Sequence, residues 1–160
     1  MFRPMRRKNQ QLTPEACQAV LERGTSGVLA LAGAEGYPYA VPLSYVLDGE
    51  RLIFHCAKSG HKLDAIAQCP KASFCVIDQD QVVPERFTTH FRSVIAFGVI
   101  RVLEGEEALT AVDRLAARYS PQVDDSARAR EIEGSEARLC VLEMKIEHMT
   151  GKQAKEMMGK

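Results

Sequence analysis

The sequence predicts a mainly β protein: a β-barrel of six antiparallel strands with helical additions. Two observations carry this expectation. Runs rich in β-branched and aromatic residues follow one another at close spacing, punctuated by glycine and Asp-Gly turn signals. Few helical patterns lie between them, which argues against alternating βαβ units. The length of 160 residues suits one domain, residues 1–160, with a substantial core, and nothing in the composition suggests disorder or a fibre.

The first element is a helix in "LTPEACQAVLERG". Thr13 suits its N-cap, Pro14 its first position and Gly24 its stop, with Cys17, Val20 and Leu21 at helical spacing. Three strands follow in "SGVLALAG", "YPYAVPLSYVLDG" and "RLIFHC", with turns at Gly33 to Gly36 and Asp48-Gly49. A short helix comes next: Ser59 suits its N-cap, Leu63 and Ile66 share a side, and Pro70 suits its stop. "KASFCVIDQ" is the fourth strand, and "FRSVIAFGVIRVLE" a long fifth that Gly98 allows to bend. Leu109, Val112, Leu115 and Tyr119 define one face of a second substantial helix, with Glu106 and Glu107 in its first turn. "SPQVDDSARAREIEGSEA" is polar and reads as loop or surface helix. "RLCVLEMKIEHM" alternates as a last strand, and "TGKQAKEMM" begins a terminal helix or tail.

Charge and cysteine usage narrow the function classes. Lys plus Arg equal Asp plus Glu at 21 each, so no nucleic-acid partner is expected and any anion site must be local. Cys17, Cys56, Cys69, Cys75 and Cys140 show no C-x-x-C pair or zinc-ligand spacing and read as reduced thiols. "MFRPMRRKNQ" lacks the apolar core of a secretory signal, and no segment approaches the ~20 apolar residues of a membrane span. A cytoplasmic protein with no membrane association is the expectation.

The stretch "FHCAKSGHKLDAI" poses a chemical conflict. Lys58, His61 and Lys62 crowd the start of the short helix, where the macrodipole and free N–H groups favour negative charge. Either a phosphate sits there, accepting from the N–H groups and pairing with the ammonium groups, or both lysines point into water at a cost of ~0.3–1 kcal/mol. No P-loop or Rossmann fingerprint is present. "RFTTHFRSV", residues 86 to 94, and "TGK", residues 150 to 152, are further donor-rich stretches; by itself the first reads more readily as solvated loop, and the second is a weak signal in isolation. The histidines His55, His61, His90 and His148 form no metal-binding pattern, so no metal is expected, and no nucleophile elbow occurs.

Together "GTSGVLAL", "GYPYAVPLSYVLDG", "FHCAKSGHKLDAI", "FCVIDQDQVVPERFTTHFRSVIAFG" and "IEHMTGK" resemble the FMN-binding split-barrel family related to pyridoxamine-phosphate oxidase, most closely its nitroimidazole-resistance branch. The resemblance implies a six-stranded split barrel forming a homodimer, with FMN in the clefts between subunits. It implies that Lys58, His61 and Lys62 face the FMN phosphate and that His55 is among the cofactor-binding residues. Val41, Pro42, Leu43, Ser44 and Tyr45 would run past the isoalloxazine ring and supply main-chain hydrogen bonds. Arg92 and Ser93 would lie near the cofactor's polar edge or phosphate, and Thr150 to Lys152 would close the cleft from the partner chain. The implied activity is reduction of the nitro group of a small-molecule substrate such as a nitroimidazole, with His61 as catalytic proton donor or merely a hydrogen-bonding residue. The chain lacks the arginine-rich C-terminal segment that grips the vitamer phosphate in true pyridoxamine-phosphate oxidases, which argues against vitamer oxidation. The competing expectation is a non-catalytic flavin- or haem-binding split barrel, with His61, His90 or His148 as axial ligand; haem degradation is the third.

Overall fold

The computed structural model describes residues 1–159. Its elements, in chain order, are α1 (Pro14–Arg23), β1 (Ser26–Ala32), β2 (Pro38–Ser44), β3 (Val46–Asp48), β4 (Arg51–Ala57), α2 (His61–Gln68), β5 (Lys71–Val83), β6 (Thr88–Leu103), α3 (Gly105–Tyr119), α4 (Asp125–Ser135) and β7 (Leu139–Gln153). The strands form one antiparallel sheet in the order β2-β1-β5-β6-β7-β4-β3.

That order dictates a curled sheet. β2 and β3 are its two edges, yet only Tyr45 separates them in sequence. A flat sheet would hold its edges several strand spacings of about 4.8 Å apart, so the sheet must roll until its edges meet at Tyr45. The result is a split barrel, as expected, but with seven strands rather than six. The stretch "YPYAVPLSYVLDG", expected as one strand, is cut in two because Tyr45 leaves one edge and starts the other. Its ring is fully buried, its hydroxyl donates to the Leu21 carbonyl at 2.6 Å, and its N–H donates to the Tyr119 hydroxyl at 3.0 Å. Tyr119 also lies within hydrogen-bonding reach of the carbonyls of Tyr45 and Thr25, so the end of α3 clasps the seam.

Alternation sorts the strand residues. Leu29, Leu31, Phe54, Phe74, Val94 and Leu142 fill the interior, where Phe74 meets Tyr45 and Phe54 edge-on at 5.0 Å each. Ile53 and Val141 point to the other face and are buried there under Ala111 and Val112 of α3. α4 is capped by Asp124, which accepts from the Ala127 N–H at 2.8 Å, and is tied to α3 by the Arg128–Asp113 ion pair at 2.6 Å.

Local signals held where the sequence stated a physical reason. Thr13 caps α1 by accepting from the Ala16 N–H at 3.2 Å, and Gly24 ends that helix. The β6–β7 register slips between Phe97 and Gly98, where a Cβ would run into the Lys145 carbonyl. Two expectations changed. The N-cap of α2 is Gly60 rather than Ser59, because the turn needs φ = +133°, a conformation glycine tolerates. "TGK" continues β7 to Gln153 rather than opening a tail, since Thr150 and Lys152 pair with Ile95 and Ser93 of β6.

Candidate functional site

The basic turn before α2 has one acid near it, Asp64 in the first turn of the helix. No side chain caps the helix start. Lys58 and His61 are exposed and Lys62 is half-buried. Among the described residues neither Lys58 nor Lys62 takes part in an ion pair. The His61 ring stacks on Tyr39 of β2, with centroids 4.0 Å apart. Lys62 leans toward β4: partial burial of the His55 ring, reinforced by the Lys62 ammonium, lowers the His55 pKa. Burial pushes the Cys56 thiol up to about 11, against the pull of the same ammonium, with its cross-strand neighbour Cys140 adding to the rise. The turn therefore offers unpaired helix N–H groups and two ammonium groups, the donor set that suits a phosphate.

The other expected site residues form a second group. Ser93 lies opposite Lys152, and Ile95 opposite Thr150. The Ile95 row continues across the sheet through Cys75 and Val28 to Pro42. Residues directly opposed on neighbouring strands point to one face, so Pro42, Thr150, Ser93 and Lys152 share the outer face, where Val28, Ile77 and Ile95 are exposed. Ser44 is exposed on the same side of β2, whereas Val41 and Leu43 turn inward against the core and Tyr45 is buried at the seam. Lys152 rests its ammonium 5.1 Å above the Phe91 ring. Arg92 is engaged elsewhere: its Nε donates to Asp78 at 2.5 Å, and Arg23 holds the same carboxylate. Burial pushes the Asp78 carboxyl up, but the hydrogen bonds from Arg23 and Arg92 outweigh it and leave the pKa below the usual range.

β2 approaches the first group, since His61 stacks on its Tyr39 and its Ser44 lines a cavity with His55, whereas Thr150 and Lys152 lie far along β7 from Lys58. Lys58 follows Ala57, which pairs with Leu139 at the start of β7. Thr150 lies eleven positions further along that strand, on the order of 30 Å of strand length. Of the remaining histidines, His90 and His148 each have a buried Nε2 with no partner among the described residues, and the His148 ring stacks on Phe2 at 4.6 Å. No three His, Cys, Asp or Glu side chains converge as a metal site among the described residues.

Sequence reading missed Tyr39 and Asp78. The inward alternation of Tyr39 with Val41 and Leu43 was a usable signal for the first. Asp78 sits at the β5 register shift between Ile77 and Gln79, which only pairing with β6 defines.

A curled antiparallel sheet whose two edge strands meet at Tyr45 defines a split-barrel protein. Comparison with known proteins then identifies the family: the model for pyridoxamine 5′-phosphate oxidase matches residues 13–153, and the chain belongs to that family. A candidate 5-nitroimidazole antibiotic resistance protein from Bacteroides thetaiotaomicron is 18% identical, with a TM-score of 0.73 over 89% of this chain and 86% of that one. An FAD-binding protein from Mesorhizobium loti is 22% identical, with a TM-score of 0.69 over 91% and 97% of the two chains. An FAD- and haem-binding protein from Mycobacterium smegmatis is 20% identical, with a TM-score of 0.73 over 92% and 74%. At these identities the likeness establishes the fold. No curated protein matches the chain. No helix among the described residues is long and apolar enough to cross a membrane.

Proposed function

We propose that this protein is a homodimeric FMN-dependent oxidoreductase that reduces nitroaromatic compounds of the nitroimidazole type. The observation that carries the cofactor assignment is the start of α2, where Gly60 leaves the helix without a side-chain cap between two unpaired lysines. Such a site favours a dianion of the flavin-phosphate kind. The M. loti and M. smegmatis proteins, described as FAD-binding, support a flavin, and the B. thetaiotaomicron protein supports the nitroimidazole substrate.

The spread of the expected site residues supports the dimer. Lys58, His61 and Lys62 lie by the start of β7 and Ser93, Thr150 and Lys152 by its far end, and a second copy packed on the outer sheet face would bring one chain's set to the other's. The exposed Val28, Ile77 and Ile95 on that face, at 41%, 65% and 38% exposure, give it the apolar character of a subunit contact.

When bound, the flavin supplies the electron transfer between a nicotinamide-type donor and the nitro group. The chain's own residues would do the rest. Lys58, Lys62 and the N–H groups of α2 hold the phosphate, and Pro42 and Ser44 offer surface along the ring. His61, braced by Tyr39, is exposed and free to deliver protons to the substrate side.

The deciding experiment is an absorption spectrum of the purified protein, FMN titration, and anaerobic addition of a nitroimidazole to the reduced form. Flavin bands that bleach on reduction and return with the drug support the proposal. Flavin bands that stay bleached limit it to cofactor binding, and a Soret band in place of flavin overturns it.

A further inference from the structure

Two thiols face each other across the sheet. Cys56 of β4 lies directly opposite Cys140 of β7, and among the described residues no other cysteine is paired with a cysteine in the strand register. Residues so opposed point to one face, and both side chains join the interior cluster. An antiparallel ladder holds such Cα atoms ~4.5–5.5 Å apart, inside the ~4.4–6.8 Å that a disulfide spans. Both thiols are free, and they are close enough for a hydrogen bond between them to help raise the Cys56 pKa. The sheet has already made the approach that a crosslink requires.

The pair is also reachable. Cys140 lines a cavity of about 530 Å³ between α2, the end of β6, the α3–α4 pair and the start of β7, and Cys56 is half-buried. Leu63 and Ile66 of α2 and Leu139 of β7 make the walls beside Cys140 apolar, so a small neutral oxidant enters more readily than a charged one. Hydrogen peroxide is such an oxidant. Burial keeps Cys56 in its thiol form at neutral pH, so the pair rests reduced and closes under sustained exposure, unlike a fast sensor of low pKa.

We propose that Cys56 and Cys140 are an oxidant-sensitive pair, closed to a disulfide within the chain by hydrogen peroxide and reopened by thiol reductants. The Cys140 sulfur, on the cavity wall, attacks one peroxide oxygen: an S–O bond forms, the O–O bond breaks, and the thiol proton leaves with the freed hydroxide as water. The Cys56 sulfur then attacks the Cys140 sulfur: the S–S bond forms, the S–O bond breaks, and the departing hydroxide takes the Cys56 proton as a second water. The two thiols lose two electrons and the peroxide gains them. The link ties the end of β4 to the start of β7, two residues before Lys58. It rests on the sheet register and stands whether or not a flavin binds.

The test exposes the reduced protein to hydrogen peroxide, alkylates it in denaturant, counts the alkylated thiols and maps the peptides by mass spectrometry. The count is expected to fall by two from five, with one crosslinked peptide pair carrying Cys56 and Cys140, and dithiothreitol is expected to restore it. Cys56→Ser is expected to abolish the crosslink and leave Cys140 as a sulfenic acid trapped by a 1,3-diketone, whereas Cys69→Ser keeps the crosslink. The peptide map of the native protein decides the matter even where a variant does not fold. Five thiols remaining after exposure, a crosslink that involves Cys17, Cys69 or Cys75, or one between chains overturns the pair.

Discussion

Removing the two ammonium groups at the start of α2 gives the sharpest test of how this fold holds a cofactor. In Lys58→Ala/Lys62→Ala the helix N–H groups remain while both charge-assisted contacts to phosphate disappear. Each such contact contributes ~1.5–3 kcal/mol, so FMN is expected to lose ~3–6 kcal/mol, or ~10²–10⁴-fold in Kd. The half-buried Lys62 should account for the larger share, because exposed Lys58 is better screened by water and salt. Riboflavin, which lacks the phosphate, is the control: its affinity should not change. Fluorescence titration of both ligands against both proteins measures the difference directly. An FMN affinity unchanged within about threefold, or an equal loss for riboflavin, would refute the phosphate assignment.

His61→Ala should lower turnover with a nitroimidazole while FMN affinity and the dimer persist, measured by steady-state kinetics beside flavin titration; undiminished turnover returns His61 to a packing role. Ile95→Glu buries a charge on the proposed subunit face and should convert dimer to monomer in analytical ultracentrifugation, whereas an unchanged sedimentation rate would move the interface elsewhere. Acid stability should follow two carboxylates. Burial raises the Glu143 pKa, but hydrogen bonds from Arg101 and Arg51 more than reverse it, and Asp78 behaves likewise. Both folded-state values lie below the unfolded ones, so their stabilisation is complete above the unfolded carboxylate range near pH ~4 and is lost as pH falls through the folded values. Urea midpoints should therefore drop on acidification below that range, and Glu143→Gln should flatten the drop while lowering stability at neutral pH; an acid limb unchanged in the variant would contradict this.

Much of the fold was legible because its signals are local. Thr13-Pro14 and Gly24 bound the first helix through capping chemistry that acts within one turn. Gly98 announced the β6 bend because a side chain there has no room beside a neighbouring backbone. Of the site, the phosphate-suited turn was legible, since three basic residues conflict with a helix start whatever the surroundings. The partner of Arg92 was not: Asp78 reaches it only after β5 and β6 align.

By itself the sequence determined most of the elements, their amphipathic faces and the basic helix start, because propensity, capping and alternation depend on residues a few positions apart. Only the tertiary structure decided that β2 and β3 are opposite edges meeting at Tyr45, that Thr150 and Lys152 lie far along β7 from Lys58, and that Lys58 opens onto a cavity roofed by α3 and α4. Those facts rest on pairings across tens of residues, which no local preference encodes. They are settled by the requirement that one sheet bury its apolar face by closing on itself.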